Sequence, residues 1–268
     1  MTTRITITGC CGRMGKKIAL FGLDDSGVEI ASVTENKNHP DIGKDFGNIL
    51  GRAEMGVPII FDISKALTNT DVIIDFTSPT ALINNIAAAR KAKVPIVIGT
   101  TGITDEEMKL VKSASKEIPV LVSSNMSIGV NLLFRVAGDI ANALGEDFDV
   151  EIVEAHHNKK KDAPSGTAKS LAEAIAQARG RNLKDVAVYG REGNVGQRPK
   201  GEIGIHAVRG GDIIGDHTVI YAGDSERIEL THRARSRDIF AKGALFAAKF
   251  LKDKSPGLYN MQDAIAQV

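Results

Sequence analysis

Short apolar, β-rich runs alternate with helical patterns through the first 125 residues, and this alternation limits the possible folds more than any other feature. RITIT (4–8), VEIASVT (28–34), VPIIF (57–61), DVIIDFT (71–77), VPIVIGTT (94–101) and PVLVSS (119–124) read as strands. Helical patterns lie between them at 14–25, from Pro79 to Lys93, and from Asp105, whose neighbours Glu106 and Glu107 complement a helix dipole. Asp62 is placed to cap a short helix. Strands that are apolar on both faces belong in a parallel sheet covered by helices on both sides. The polar stretch 35–56 reads as a loop.

The pattern changes near Asn125. A helix is predicted from Ile128 to Leu144, a strand over 148–157 and a helix from Thr167 to Arg179. Residues 182–202 read as a long polar loop. Strands at 203–208, 216–222 and 227–234 suggest a mixed or antiparallel sheet, and 240–251 returns to helix. The predicted class is α/β: an N-terminal Rossmann-like, doubly wound parallel sheet plus a second α+β domain with a mixed sheet.

The first strand runs into Gly9-Cys10-Cys11-Gly12-Arg13-Met14-Gly15, a G-x-x-G-x-x-G spacing. Glycines let a backbone turn tightly and approach a pyrophosphate seated at a helix N-terminus. Such turns also arise for packing alone. Glu35, twenty residues after Gly15, strengthens the dinucleotide reading, since an acid there accepts hydrogen bonds from the adenosine ribose. Its carboxylate favours NADH over NADPH by repelling a 2′-phosphate, and Lys37 or Arg13 can offset that repulsion. Gly99, Thr100 and Thr101, and Ser123, Ser124, Asn125 and Met126, end two further strands where ligands bind in this architecture; turn geometry explains them equally well.

The run EAHHNKKKDAPSGTA, Glu154 to Ala168, collects two histidines and three lysines before a helix start. Strand parity puts Glu154 and His156 on one face with Val150 and Ile152, and His157 on the other. A histidine moves a proton near neutral pH, and a lysine beside other cations can act as an acid. Each residue alone also suits a buried histidine or a solvated charge run. Gly166 and Thr167, with Pro164 and Ser165 ahead of them, form a cradle for a carboxylate or phosphate, or merely a helix cap. The adjacent histidines lack metal-ligand spacing, so no metal site is expected.

The net charge of +1 and the absence of Trp argue against a nucleic-acid partner. No apolar stretch approaches the ~20 residues of a membrane span, and adjacent cysteines rarely form a disulfide. A reduced, cytoplasmic location without a membrane or nucleic-acid partner is expected, the more so because a strand begins by Arg4 with no leader before it.

The run at 154–168 resembles the signature E-x-H-H-x-x-K-x-D-A-P-S-G-T-A of the 4-hydroxy-tetrahydrodipicolinate reductase, or dihydrodipicolinate reductase, family. GCCGRMG, IDFTSP (74–79), IGTTG (98–102), SNMSIGVN (124–131) and the stretch 191–219 are similar to it too, in order along nearly the whole chain. The resemblance implies a hydride transfer from NADH or NADPH to a cyclic dicarboxylate in the diaminopimelate route to lysine. It makes His156 the proton donor and acceptor, Lys160 a proton donor, His157 a substrate contact, and Gly166 and Thr167 the carboxylate grip. Gly9, Cys10, Cys11, Gly12, Arg13, Met14, Glu35, Gly99 to Thr101 and Ser123 to Met126 match cofactor contacts. Some members carry Arg where this chain has Asn36, which weakens the case for NADPH. The family further implies a homotetramer built through the second sheet. Expected domains are 1–126 with 237–268, for the dinucleotide, and 127–236, for substrate and assembly. Other two-domain dehydrogenases of amino-acid metabolism would leave His156 and Lys160 unexplained. A non-catalytic dinucleotide sensor would not need them.

Overall fold

The computed structural model describes residues 2–267. Two compact units are separated at Ser127/Ile128 and again at Arg237/Asp238.

Among the described residues of the first unit, β1 (Thr3–Thr8), β2 (Val28–Thr34), β3 (Ile59–Ile60), β4 (Val72–Asp75), β5 (Ile96–Ile98) and β6 (Pro119–Val122) are interleaved with five α-helices. These are α1 (Arg13–Leu23), α2 (Phe46–Ile49), α3 (Ile63–Ala66), α4 (Pro79–Ala92) and α5 (Asp105–Ala114). The second unit contributes α6 (Ile128–Leu144), β7 (Asp149–His156), α7 (Gly166–Ala178), α8 (Leu183–Val186), β8 (Ala187–Tyr189), β9 (Ile203–Arg209), β10 (Asp216–Ala222) and β11 (Arg227–Arg233). The chain then returns to the first unit as α9 (Asp238–Leu251), β12 (Gly257–Tyr259) and α10 (Met261–Ile265).

Among the described residues the first sheet has seven strands in the order β12-β6-β5-β4-β1-β2-β3, every neighbouring pair parallel. Chain order reverses between β1 and β4, so a crevice opens beyond their carboxyl ends, where ligands bind in doubly wound sheets. The apolar runs divide by parity between two cores. Val72 and Ile74 pack with α1 and α9, whereas Ile73 packs with α4 and α5.

The second sheet is mixed, in the order β11-β10-β7-β9-β8, with β10 antiparallel to both β7 and β11 and the other pairs parallel. Helices α6 and α7 cover one face through Leu133, Ala137, Leu171 and Ile175, which pack on Val150, Ile152, Val219 and Tyr221. Along β10 only alternate residues, His217, Val219 and Tyr221, are buried, the signature of a sheet covered on one side.

Several elements depart from the sequence pattern. The stretch 182–202 contains α8 and the edge strand β8, which is held by pairing with β9. The stretch 35–56 contains α2, whose start is fixed by Asp45 accepting from Gly47, Met55 and Val57 amides at 2.8, 3.0 and 3.1 Å. VPIIF keeps only two strand residues, and β12 and α10 close the first unit after Leu251. All are too short for hydrophobic periodicity to reveal.

Candidate active site

At the end of β1 the backbone turns through Gly9, whose φ of +69° is a left-handed conformation that other residues adopt at a cost. A Cβ on Gly15 would fall 2.7 Å from Cys10 Cα, so only glycine lets α1 begin this close to the strand. No side chain caps α1, leaving its first amides to the turn. Glu35 faces the turn: one carboxylate oxygen accepts from Cys11 N–H at 3.0 Å and the other from Asn36 N–H at 2.9 Å. A cavity of about 610 Å³ lies here, lined by Gly9, Gly12, Glu35, Lys37, Phe76 and Thr77 among others. It sits at the β1/β4 reversal, and an acid beside a glycine turn and helix start suits the adenosine half of a dinucleotide.

Asp75, at the end of β4, was not singled out by the sequence pattern. It is fully buried and accepts hydrogen bonds from Thr8 Oγ1 (2.9 Å), Asn85 Nδ2 (2.6 Å), Thr100 Oγ1 (2.6 Å) and Thr77 Oγ1 (3.0 Å). This knot ties the ends of β1, β4 and β5 together. Thr100 therefore points its hydroxyl inward. Gly99 lies against the Phe76 ring, where a Cβ would collide with the ring carbons. Ser123 and Asn125 form a tight turn, the Ser123 hydroxyl donating to Asn125 O at 2.7 Å, and Met126 is buried in the core. These β5 and β6 termini share the carboxyl edge of the sheet with Gly9 and Glu35 but do not line the 610 Å³ cavity. Cys10 is buried, Cys11 half-buried, Met14 half-buried and Arg13 exposed.

In the second unit, Glu154 is fully buried near the end of β7. Its Oε2 stands 2.6 Å from His156 Nδ1. Arg209 grips both carboxylate oxygens at 2.8 Å, and Ser165 N–H donates to Oε1 at 2.9 Å. Burial pushes the Glu154 carboxyl up, but Arg209, His156 and the Ser165 amide together hold it below the ordinary range. An ionised Glu154 can only accept, so the Nδ1 of His156 carries the hydrogen and Nε2 is left to exchange a proton. That nitrogen faces Gly215, where a Cβ would come within 3.0 Å.

His217 packs edge-on against His156, with ring centroids 5.2 Å apart, and its Nε2 lies 3.1 Å from Ser165 Oγ. Burial, reinforced by the neighbouring His156, lowers the His217 imidazole to about 4. It is neutral at neutral pH and adds no second cation beside His156. Parity holds through the strand end: Glu154 and His156 share a face, and His157 follows as the chain leaves β7. The Nδ1 of His157 is buried without a hydrogen-bond partner. Lys160 pairs with Asp162, Nζ lying 2.9 Å from both carboxylate oxygens.

Ser165 caps α7, its hydroxyl accepting from Ala168 N–H at 3.1 Å. Gly166 is exposed, with no atom within 4 Å of where a Cβ would sit, so the helix start is open to an anion.

A dinucleotide-type parallel sheet with an acid at its glycine turn, and a mixed sheet carrying a carboxylate-held histidine beside an open helix start, define a nicotinamide-dependent oxidoreductase that acts on an anion. Comparisons with known proteins narrow this. Family profiles described as dihydrodipicolinate reductase, N-terminus and C-terminus, match residues 3–126 and 129–265. The chain belongs to the dihydrodipicolinate reductase family. It is 48% identical over 262 residues to the 4-hydroxy-tetrahydrodipicolinate reductase of Geotalea daltonii, covering 98% of each chain. The same enzyme of Geobacter sulfurreducens is 47% identical over 263 residues, again covering 98% of each. Among solved structures, the dipicolinate-bound dihydrodipicolinate reductase of Paenisporosarcina sp. TG-14 aligns with a TM-score of 0.78 at 27% identity, over 98% of this chain and 99% of that one.

Proposed function

We propose that the protein reduces 4-hydroxy-tetrahydrodipicolinate to tetrahydrodipicolinate, with loss of water, in the diaminopimelate route to lysine. The observation that carries this reading is the Glu154–His156 pair, 2.6 Å apart and fixed from behind by Arg209, set beside the open start of α7. When bound, the nicotinamide supplies the hydride. Gly9, Gly12 and the first amides of α1 hold the pyrophosphate, and Glu35 accepts from the adenosine ribose. Glu35 favours NADH, while Lys37 in the same cavity offers a cation to a 2′-phosphate, so both cofactors are accepted with NADH preferred.

On the substrate side, the N-terminus of α7 at Gly166 and Thr167 binds one carboxylate, and His157 contacts the ring substituents. His156 exchanges a proton through Nε2 while Glu154 stabilises the imidazolium that forms, as a buried carboxylate does for a general base. Lys160 delivers the proton required at the site left after hydride addition. The uncovered face of the mixed sheet, which exposes Val208 beside Ala155, supports assembly as a homotetramer. No helix among the described residues is long and apolar enough to cross a membrane, and a cytoplasmic location fits the pathway.

The test is purified protein supplied with enzymatically generated substrate, following NADH and NADPH oxidation separately. Oxidation of NADH at the higher kcat/KM is expected. Oxidation of neither would refute the reading and favour a dinucleotide sensor.

A further inference from the structure

The loop after β2 folds back beside the glycine turn and brings together three side chains of different chemistry. The ligand atoms of Cys11, His39 and Asp41 all lie within 4.8 Å of one another. A second group, Cys10, Cys11 and Glu35, meets the same limit and shares Cys11. Sequence spacing hides this cluster, because Cys11 is 28 residues from His39 and reaches it only through β1–β2 pairing.

Each donor is suited to ligation. His39 Nδ1 accepts a long hydrogen bond, 3.3 Å, from Asp41 N–H, a weak contact that an ion at this nitrogen replaces. Asp41 gives one oxygen to Lys44 at 2.6 Å and turns the other toward His39 Nδ1 at 3.7 Å. Tetrahedral zinc, with bonds of about 2.0–2.3 Å, sets its ligand atoms roughly 3.3–3.8 Å apart. Cys11 is half-buried, and the side chains of His39 and Asp41 are 32% and 22% exposed, enough to hold donors in place while an ion enters. The cations nearby are Lys44, whose side chain is 57% exposed and free to swing away, and Lys16 on α1. Thiolate, imidazole and carboxylate together select zinc over the hard cations magnesium and calcium.

We propose that Cys11, His39 and Asp41 bind one zinc ion, and that the ion and the dinucleotide exclude each other. Cys11 belongs to the turn that approaches the pyrophosphate, and its N–H donates to Glu35 at 3.0 Å. An ion drawing the Cys11 sulfur toward the loop deforms that turn and competes for the Glu35 carboxylate. The competition rests on reading Glu35 and the turn as the cofactor site; zinc binding itself does not.

The experiment is calorimetric titration of zinc chloride into the full-length protein in chelator-free buffer, paired with NADH titrations followed by fluorescence with and without zinc. Expected are one zinc per chain, at least tenfold weaker NADH binding in its presence, and recovery on adding a chelator. His39→Ala loses the zinc site and keeps its NADH affinity in metal-free buffer; Asp41→Asn gives the same result if His39→Ala misfolds. No zinc uptake by the wild type, or equal uptake by both folded variants, overturns the site. Stoichiometric zinc that leaves NADH affinity unchanged overturns the exclusion. Failure of metal-free protein to bind NADH refutes the cofactor reading, while the zinc stoichiometry still decides the site.

Discussion

Glu154 and His156 share one hydrogen bond of 2.6 Å, and the carboxylate that makes it has no exposure to solvent. Its remaining acceptor capacity is taken by Arg209 and by the Ser165 amide. A buried carboxylate is retained only when paired this fully, and here the pairing also dictates which histidine nitrogen is free.

Glu154→Gln keeps the shape and removes the charge. The amide no longer forces the hydrogen onto Nδ1, and Arg209 faces a neutral group. We expect kcat to fall at least about tenfold, part of the ~100–10,000-fold that an acid–base group supplies, with KM changed less. Leaving the Arg209 cation unmatched costs about 3 kcal/mol of stability. Steady-state kinetics and urea unfolding measure the two effects, and an unchanged kcat would remove Glu154 from the proton path.

His156→Gln and Lys160→Ala separate chemistry from cofactor binding. Both are expected to lower turnover by about 100-fold or more while NADH affinity stays within about twofold. Single-turnover kinetics beside fluorescence titration would decide it; full turnover in both variants would void the assigned roles.

His217 gives the fold a pH dependence of defined sign. Its imidazole lies at about 4 when folded, against an ordinary value of 6.5. Protons therefore bind the unfolded chain more readily, and the stability that His217 contributes is complete above pH ~6.5 and lost as pH falls toward ~4, about 3 kcal/mol in all. Glu154, also depressed, adds a loss at lower pH, as the medium falls below the ordinary carboxylate range and through its folded value. Denaturant unfolding at pH 7 and pH 5 should show the first loss in the wild type and a smaller one in His217→Asn. Equal slopes would mean that His217 is solvated in the folded protein.

Asp75→Asn tests the knot at the carboxyl edge of the first sheet. Asp75 only accepts, and every partner donates to it: Thr8, Thr77, Asn85 and Thr100. An amide turns one acceptor into a donor aimed at donors, costing about 1–3 kcal/mol. Because the knot fixes the floor of the 610 Å³ cavity, NADH affinity should fall as well. Thermal melting and NADH titration report the two changes.

What could be read from the sequence follows the range of the interaction involved. The glycine turn, the acid after β2 and the parity of β7 are local: a few consecutive residues dictate them. The alternation of strand and helix pointed to a parallel, doubly wound first sheet, because parallel strands need helical crossovers. Asp75 escaped notice because its partners Thr8 and Thr100 lie 67 and 25 residues away and look like ordinary strand ends. Arg209 and His217 escaped for the same reason; they reach Glu154 and Ser165 from 55 and 52 residues further on. Thr100 and Met126 resemble the family's cofactor contacts, and the fold turns the first hydroxyl toward Asp75 and buries the second side chain, orientations that a local motif does not reveal.

Ser165 joins three parts of the second unit at one residue. Its amide serves Glu154, its hydroxyl caps α7, and the same hydroxyl meets His217. A mutation there would disturb the start of α7 and the Glu154–His156 pair at once, and with them the proposed anion grip and proton-transfer group. Selection for a different substrate therefore has little room to retune one without disturbing the other. Directed evolution of this scaffold should find its useful variation in the loops around this junction and leave residue 165 untouched.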